Sequence, residues 1–236
     1  DKFTELGRFD KLYLFILKKF IILKFLFGKL NWILIYGPPR TGTTLLSEIA
    51  AYESKFMIVD VGLQLMRVYP ENSKWQPAIR NRLYNFIYLN LLSNSHEGTW
   101  FCYNRFKRPY DFVLKQAALR IEDYNYLVKL FGAPKKTYFC VREPSAYSTS
   151  HLKKFSKPSY INDDYLRSLI AYEKIGGTVV DYSCTFSLED YENIIFGKKK
   201  SLPIKVAHKN YQLKKSNLTH EYKNFKKKNI DFFASP

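Results

Sequence analysis

Apolar residues along this chain are grouped into short runs that are separated by longer amphipathic segments. Short runs rich in β-forming residues and bounded by turn residues predict strands, here over residues 32–36, 56–60, 99–103, 136–141 and 178–182. The amphipathic segments predict helices: one from Thr43 to about Tyr52, a mostly helical stretch over 63–93, one of roughly twenty residues that ends at Phe131, and one over 163–175. This alternation predicts an α/β domain in three layers, with a mostly parallel central sheet and helices on both faces.

The first predicted strand is followed at once by Gly37 and two prolines, and the helix that begins at Thr43 comes next. A loop between a buried strand and a helix N-terminus presents several backbone N–H groups, and the helix dipole adds a positive potential. We therefore expect this loop to bind an anionic group, most commonly a phosphate.

Residue spacing distinguishes this loop from the loop of nucleoside-triphosphate-binding proteins. That motif is G-x-x-x-x-G-K-[ST], in which the lysine reaches the terminal phosphates and the next hydroxyl holds magnesium. Gly37 and Gly42 keep the frame, but Thr43 occupies the lysine position and the cation comes earlier, at Arg40. A kinase or nucleotidase that uses ATP and magnesium is therefore the alternative enzyme class.

Residues 39–45, PRTGTTL, closely resemble the 5'-phosphosulfate loop of PAPS-dependent sulfotransferases, usually written P-[KR]-[ST]-G-T-T. PAPS is 3'-phosphoadenosine 5'-phosphosulfate, the sulfuryl donor. The resemblance implies a P-loop-type fold and a metal-independent transfer of the sulfuryl group to a hydroxyl or amine, with PAP, the 3',5'-bisphosphate, as product. It implies a catalytic role for Arg40 and a 5'-phosphate site formed by Arg40, Thr41, Gly42, Thr43 and Thr44.

A second motif of the same family follows the strand predicted over 136–141. In sulfotransferases an arginine at a strand end and a serine further along the chain hold the 3'-phosphate of the donor. Arg142 and Ser150 stand in these places, eight residues apart as in the family, and Glu143-Pro144 resembles the acidic residue and proline that often follow the arginine. A guanidinium fork fits phosphate oxygens and a hydroxyl adds a neutral donor. The resemblance therefore implies a 3'-phosphate site at Arg142 and Ser150.

The remaining site residues are assigned from weaker matches. Lys107 lies in a Lys-x-Pro sequence that resembles the one many sulfotransferases carry after a strand, where the lysine acts near the leaving bridging oxygen. Asp60 stands where tyrosylprotein sulfotransferases carry a glutamate as general base, and a surface or capping carboxylate is the alternative. His96 and Glu97 are further candidates for the base, since cytosolic family members use a histidine. Tyr182 resembles the tyrosine of the strand motif Y-E-D-L, with a position in the core as the alternative.

The chain is strongly basic, with 38 Lys and Arg against 21 Asp and Glu and a formal net charge of +17. Such a charge is typical of nucleic-acid binding, but the lysines lie in scattered runs and no zinc-ligand pattern accompanies them. An anionic donor together with an anionic acceptor or membrane surface accounts for the charge equally well, so we do not expect a nucleic-acid partner. A basic module that binds nucleic acid or membrane and keeps the loop as a scaffold is the non-enzymatic alternative.

Residues 1–30 are predicted as an N-terminal apolar and basic helix, and residues 31–236 as a single sulfotransferase-like α/β domain. Three central lysines interrupt the apolar segment over 11–30 and would be costly inside a bilayer. We expect this helix to pack on the domain, with peripheral membrane contact as the alternative. Three widely spaced cysteines imply no disulfide framework, which favours a cytoplasmic protein. The acceptor, a small molecule, a glycan or a lipid, is left open by the sequence.

Overall fold

The computed structural model describes residues 30–59, 99–101, 108–155, 161–183, 187–202, 204 and 218–233. Within these ranges six strands form one sheet: β1 (Trp32–Gly37), β2 (Ser54–Val59), β3 (Thr99–Phe101), β4 (Tyr110–Ala117), β5 (Lys136–Val141) and β6 (Thr178–Asp181). The helices of the described ranges are α1 (Thr43–Ala50), α2 (Ile121–Phe131), α3 (Pro144–Phe155), α4 (Ile161–Ile175), α5 (Leu188–Phe196) and α6 (Thr219–Lys228), with short 3-10 turns over Ala51–Glu53 and Ile230–Phe232.

The strands lie in the order β3-β2-β4-β1-β5-β6. Every neighbouring pair is parallel except β2 and β3, which are antiparallel. The predicted α/β class with a mostly parallel central sheet is therefore confirmed, and the strand predicted over 136–141 has the predicted bounds. The helix predicted from Thr43 is also confirmed, as α1 followed by a 3-10 turn that ends at Glu53.

Alternate residues of the central strand β1 enter two separate hydrophobic cores. Trp32, Leu34 and Tyr36 pack with apolar residues of α2, α3, α4 and α6. Ile33 and Ile35, which point to the opposite face, pack with α1 and α5. Helices therefore cover both faces of the sheet, as expected for a nearly continuous apolar strand in a parallel sheet.

Strand β4 occupies a segment that the sequence pattern predicts as the first half of a long helix, and this prediction is wrong. Only Ile121–Phe131 is helical, whereas Tyr110–Ala117 pairs with both β1 and β2. Asp111, Lys115 and Gln116 interrupt the apolar run and obscure its strand pattern, yet all three side chains are buried. Hydrogen bonding of β4 to a neighbouring strand on each side stabilises the strand conformation of this segment. The intrinsic preferences of its residues do not include this contribution.

The chain crosses from one side of β1 to the other after β4. After β1 it forms β2, β3 and β4 on one side of the sheet, and it then places β5 and β6 on the other side. In open α/β sheets, ligands bind beyond the carboxyl ends of the strands at such a reversal of strand order. The loop that follows β1 lies at this position.

Two predicted helical segments fall outside the described residues. These are the stretch over 63–93 and the N-terminal segment over 11–30, except for Leu30, which is buried in the core. Among the helices of the described ranges, none combines the length and the apolar character needed to cross a membrane.

The carboxylate of Glu192 in α5 holds the segment that follows this helix. It is 1% exposed and accepts backbone N–H bonds from Lys200 at 2.6 Å, Ser201 at 2.9 Å and Leu202 at 2.7 Å. Burial alone would raise the pKa of Glu192, but the three N–H bonds and the charge of Lys199 outweigh it and hold the pKa below its ordinary value.

We predict that Glu192→Gln lowers the free energy of unfolding by about 1–3 kcal/mol near neutral pH, since the buried charged acceptor of three backbone N–H groups is lost. The pKa of Glu192 is lower in the folded chain than in the unfolded chain. Its contribution is therefore complete above the unfolded pKa and is lost as the pH falls through the folded pKa. Denaturant titrations at neutral and acidic pH should show the difference between wild type and variant shrinking on acidification.

The exposed carboxylate of Glu189, which pairs with Lys199 at 2.8 Å, provides the control. Glu189→Gln should change the free energy of unfolding by less than about 1 kcal/mol. A difference between wild type and Glu192→Gln that stays the same at every pH would contradict the assigned role.

Candidate functional site

The loop after β1 begins with a close approach between two strands. Gly37 has a φ of 147°, and a Cβ on it would lie 2.2 Å from the carbonyl oxygen of Cys140 in β5. Only glycine fits this approach. Beyond it, the hydroxyl of Thr41 donates to the carbonyl of Pro38 at 2.7 Å, and Arg40 takes the left-handed conformation with a φ of 71°. The loop is thus a tight turn that leaves the Arg40 side chain exposed.

Helix α1 starts directly from this loop without a capping side chain. Gly42 is the N-cap residue, and its carbonyl accepts the N–H of Leu46 at 3.0 Å. Neither a capping side chain nor an acidic residue in the first turn offsets the positive end of the helix. Thr43 is buried and Thr44 is exposed at this end. The first turn of α1 is therefore suited to an external anion.

The second predicted motif lies against the first. Arg142 follows β5, is 9% exposed, and donates from Nη1 to the carbonyl oxygen of Arg40 at 3.4 Å across 102 residues of sequence. Its guanidinium also lies over the ring of Tyr182, with Cζ 4.9 Å from the ring centroid. The structure therefore brings together the two segments that the sequence predicts as phosphate sites.

Ser150 and His151 lie on α3, which begins two residues after Arg142, and both are buried. Burial lowers the pKa of His151, and the positive charge of Arg40 lowers it further, against an opposing effect of Asp164. The imidazole is therefore mainly neutral near neutral pH.

Lys115 is a buried lysine near the carboxyl end of β4 that sequence reasoning missed. It is 7% exposed, and its Cα is paired in register with Ile35 of β1 and Val59 of β2. Because side chains alternate along a strand, Lys115 is on the same face as Val113, which packs in the core beneath α1. The sequence signal for Lys115 was its position at the end of an apolar run. This signal was missed because the run was predicted as part of a helix.

Lys107, Asp60, His96 and Glu97 all lie outside the described residues. Asp60 is the residue after Val59, and Val59 ends β2 at the same edge as the loop.

Two features suited to anions lie next to each other in the structure. The uncapped start of α1 lies beside the exposed Arg40. The buried Arg142 donates to the carbonyl of Arg40, and α3, which carries Ser150, begins two residues after Arg142. Within the part of the chain that the structure describes, no three His, Cys, Asp or Glu side chains are grouped so that they could hold a metal ion.

Comparison with known proteins does not add a family to this picture. No protein-family model matches the sequence, and a search of curated proteins finds no significant match. The resemblance to sulfotransferases therefore rests on the two motifs and on the geometry that brings them together.

We predict that Gly42→Ala destabilises the protein more than Gly197→Ala does. Both glycines have positive φ, 90° and 69°, so each substitution costs about 1–2 kcal/mol of backbone strain. A Cβ on Gly42 would also lie 2.4 Å from Cδ2 of Tyr182, whereas a Cβ on Gly197 would have no atom within 4 Å. Denaturant unfolding of the two variants measures the difference, and equal losses would show that the ring of Tyr182 moves aside without cost.

Proposed function

We propose that this protein is a PAPS-dependent sulfotransferase that transfers the sulfuryl group to a hydroxyl or amine of an acceptor. The observation that supports this most strongly is the contact between Arg142 and the carbonyl of Arg40. PAPS has a 5'-phosphosulfate and a 3'-phosphate on one nucleoside, and a protein that binds it needs two anion sites side by side. A P-loop-type fold is part of this proposal. The position of β1 inside the sheet, between β4 and β5, supports it.

In the proposed complex, the backbone N–H groups of residues 41–44 and the hydroxyls of Thr43 and Thr44 bind the 5'-phosphate. The dipole of α1 favours this anion, and no side chain caps the first turn of this helix by a hydrogen bond. Arg142 and Ser150 bind the 3'-phosphate through charged and neutral donors. Thr41 closes the turn through its bond to Pro38, and its N–H contributes to the anion site.

Transfer proceeds in line in this proposal. The acceptor oxygen or nitrogen forms a bond to sulfur while the bond from sulfur to the bridging oxygen of the 5'-phosphate breaks, and that oxygen leaves with the electron pair as part of PAP. Arg40 stabilises the negative charge that develops there. Lys107 remains the candidate from the sequence for a second cation, and we add Lys115, because it is buried near the loop edge of the sheet.

A general base takes the proton of the acceptor, and such help contributes about 10²–10⁴-fold to the rate. Asp60 remains the first candidate because it follows the last residue of β2 at the loop edge. His96 and Glu97 remain the alternatives. No metal has a role in this mechanism, and the acceptor is a small molecule, a glycan or a lipid.

We predict that the protein binds PAP in the presence of EDTA and that Arg142→Ala weakens this binding by about 10- to 100-fold, since hydrogen bonds to a charged group are lost. Isothermal titration calorimetry with PAP measures the affinity of wild type and of Arg142→Ala. A separate titration with ATP and magnesium tests the alternative ligand. Arg167→Ala is the matched control, because Arg167 is an exposed arginine on α4 and the substitution makes the same change in net charge.

Two other outcomes would replace the proposal. Binding of ATP with magnesium but not of PAP would favour the kinase alternative. Absence of binding to both ligands, together with salt-dependent binding of oligonucleotides or anionic vesicles that survives Arg40→Ala, would favour a basic binding module.

We predict that Lys115→Met lowers the rate of PAP release from PAPS by about 10²- to 10³-fold, the usual effect of removing one donor to a developing negative charge. The acceptor in this assay is water or a simple phenol. Affinity for PAP should change less than the rate. Lys129→Met, at an exposed position of α2, is the control, and an unchanged rate for Lys115→Met would exclude Lys115 from the reaction.

A further inference from the structure

The ring of Tyr182 lies between the two predicted phosphate motifs and contacts both. On one side it packs against Gly42, where a Cβ would be only 2.4 Å from Cδ2 and 3.1 Å from Cε2 of the ring. On the other side the guanidinium of Arg142 lies over the ring, with Cζ 4.9 Å from the centroid. The ring therefore separates the start of α1 from Arg142 by a fixed thickness.

The turn that carries Tyr182 is held by hydrogen bonds on both sides of this residue. The N–H of Tyr182 donates to the carbonyl of Val141 at 2.9 Å. The N–H of Ser183 donates to Oδ1 of Asp181 at 2.9 Å, and the hydroxyl of Ser183 accepts the N–H of Glu143 at 2.8 Å. These bonds tie the turn to the residues immediately before and after Arg142, so the ring and the guanidinium share one support.

The C-terminal helix α6 reinforces this support from outside the sheet. The other carboxylate oxygen of Asp181 accepts a hydrogen bond from the hydroxyl of Tyr222, and the ammonium of Lys226 lies 3.6 Å from it. Asp181 is 4% exposed, so its bonds to Ser183 and Tyr222 are shielded from competing water. The turn is held from both β5 and α6 and keeps the ring of Tyr182 in one place.

We infer that Tyr182 is a positioning residue, whose ring orients Arg142 towards the 3'-phosphate of the donor and sets its distance from the 5'-phosphate loop. A guanidinium that stacks on an aromatic face can still donate along its edge, so stacking orients Arg142 without using its donors. This inference rests on the proposed function. It goes beyond that proposal because it assigns the discrimination between a 3',5'-bisphosphate and a 5'-monophosphate to a residue that need not touch either phosphate.

The test is calorimetric titration of wild type, Tyr182→Leu and Tyr182→Phe with PAP and with adenosine 5'-monophosphate. For Tyr182→Leu we expect PAP binding to weaken about tenfold, equivalent to about 1.4 kcal/mol, while affinity for the monophosphate changes less than about threefold. Tyr182→Phe keeps the ring and should retain the preference for PAP. Phe196→Leu is the control, since it also removes a ring that contacts a cation, the ammonium of Lys200 at 4.0 Å from the ring centroid.

A double-mutant cycle separates positioning from a general structural role. If Tyr182 acts through Arg142, Tyr182→Leu should cause no further loss of PAP affinity in the Arg142→Ala background. Additive losses, or an equal loss of affinity for PAP and the monophosphate, would overturn the inference and leave the proposed function standing. Failure of wild type to bind PAP would overturn the proposed function itself, and the inference with it.

Discussion

The structure depends on the burial of β1 between two parallel neighbours and two layers of helices. All six of its residues are buried, and its alternate side chains form the centres of both hydrophobic cores. Because the strand is enclosed on all sides, the chain can change direction only where β1 ends. The loop that follows β1 therefore lies at the carboxyl ends of the parallel strands. The absence of a side chain at Gly37 allows it to leave directly beside β5. The position of the loop follows from this packing.

Three cationic residues are placed at or near this edge of the sheet. Arg40, Lys115 and Arg142 come from three adjacent strands or the loops that follow them, and the start of α1 adds its dipole to theirs. A ligand with two phosphates, such as the proposed donor, would complement these positive charges.

The hydrogen bonds that hold the site in place are made by residues other than those proposed to contact the ligand. Glu143, Asp181 and Ser183 link β5, β6 and the turn after β6. Tyr222 of α6 then links this turn to the far end of the chain. Residues with no contact to a donor can therefore determine how well Arg142 is oriented, because orientation errors of a fraction of an ångström weaken a bidentate contact.

The sequence by itself determined the local elements: the strand over 136–141, the helix from Thr43, the loop with Gly37, Arg40 and Gly42, and the helical spacing from Arg142 to Ser150. Spacing within one strand, loop or helix is governed by backbone geometry over a few residues, so the sequence pattern contains it. Only the tertiary structure decided that β4 is a strand, that Lys115 lies at the loop edge, and that Arg142 reaches the carbonyl of Arg40. These features depend on which strands are neighbours in the sheet. The strand order is determined by the burial of both faces of the sheet against helices, and no local run of residues determines it.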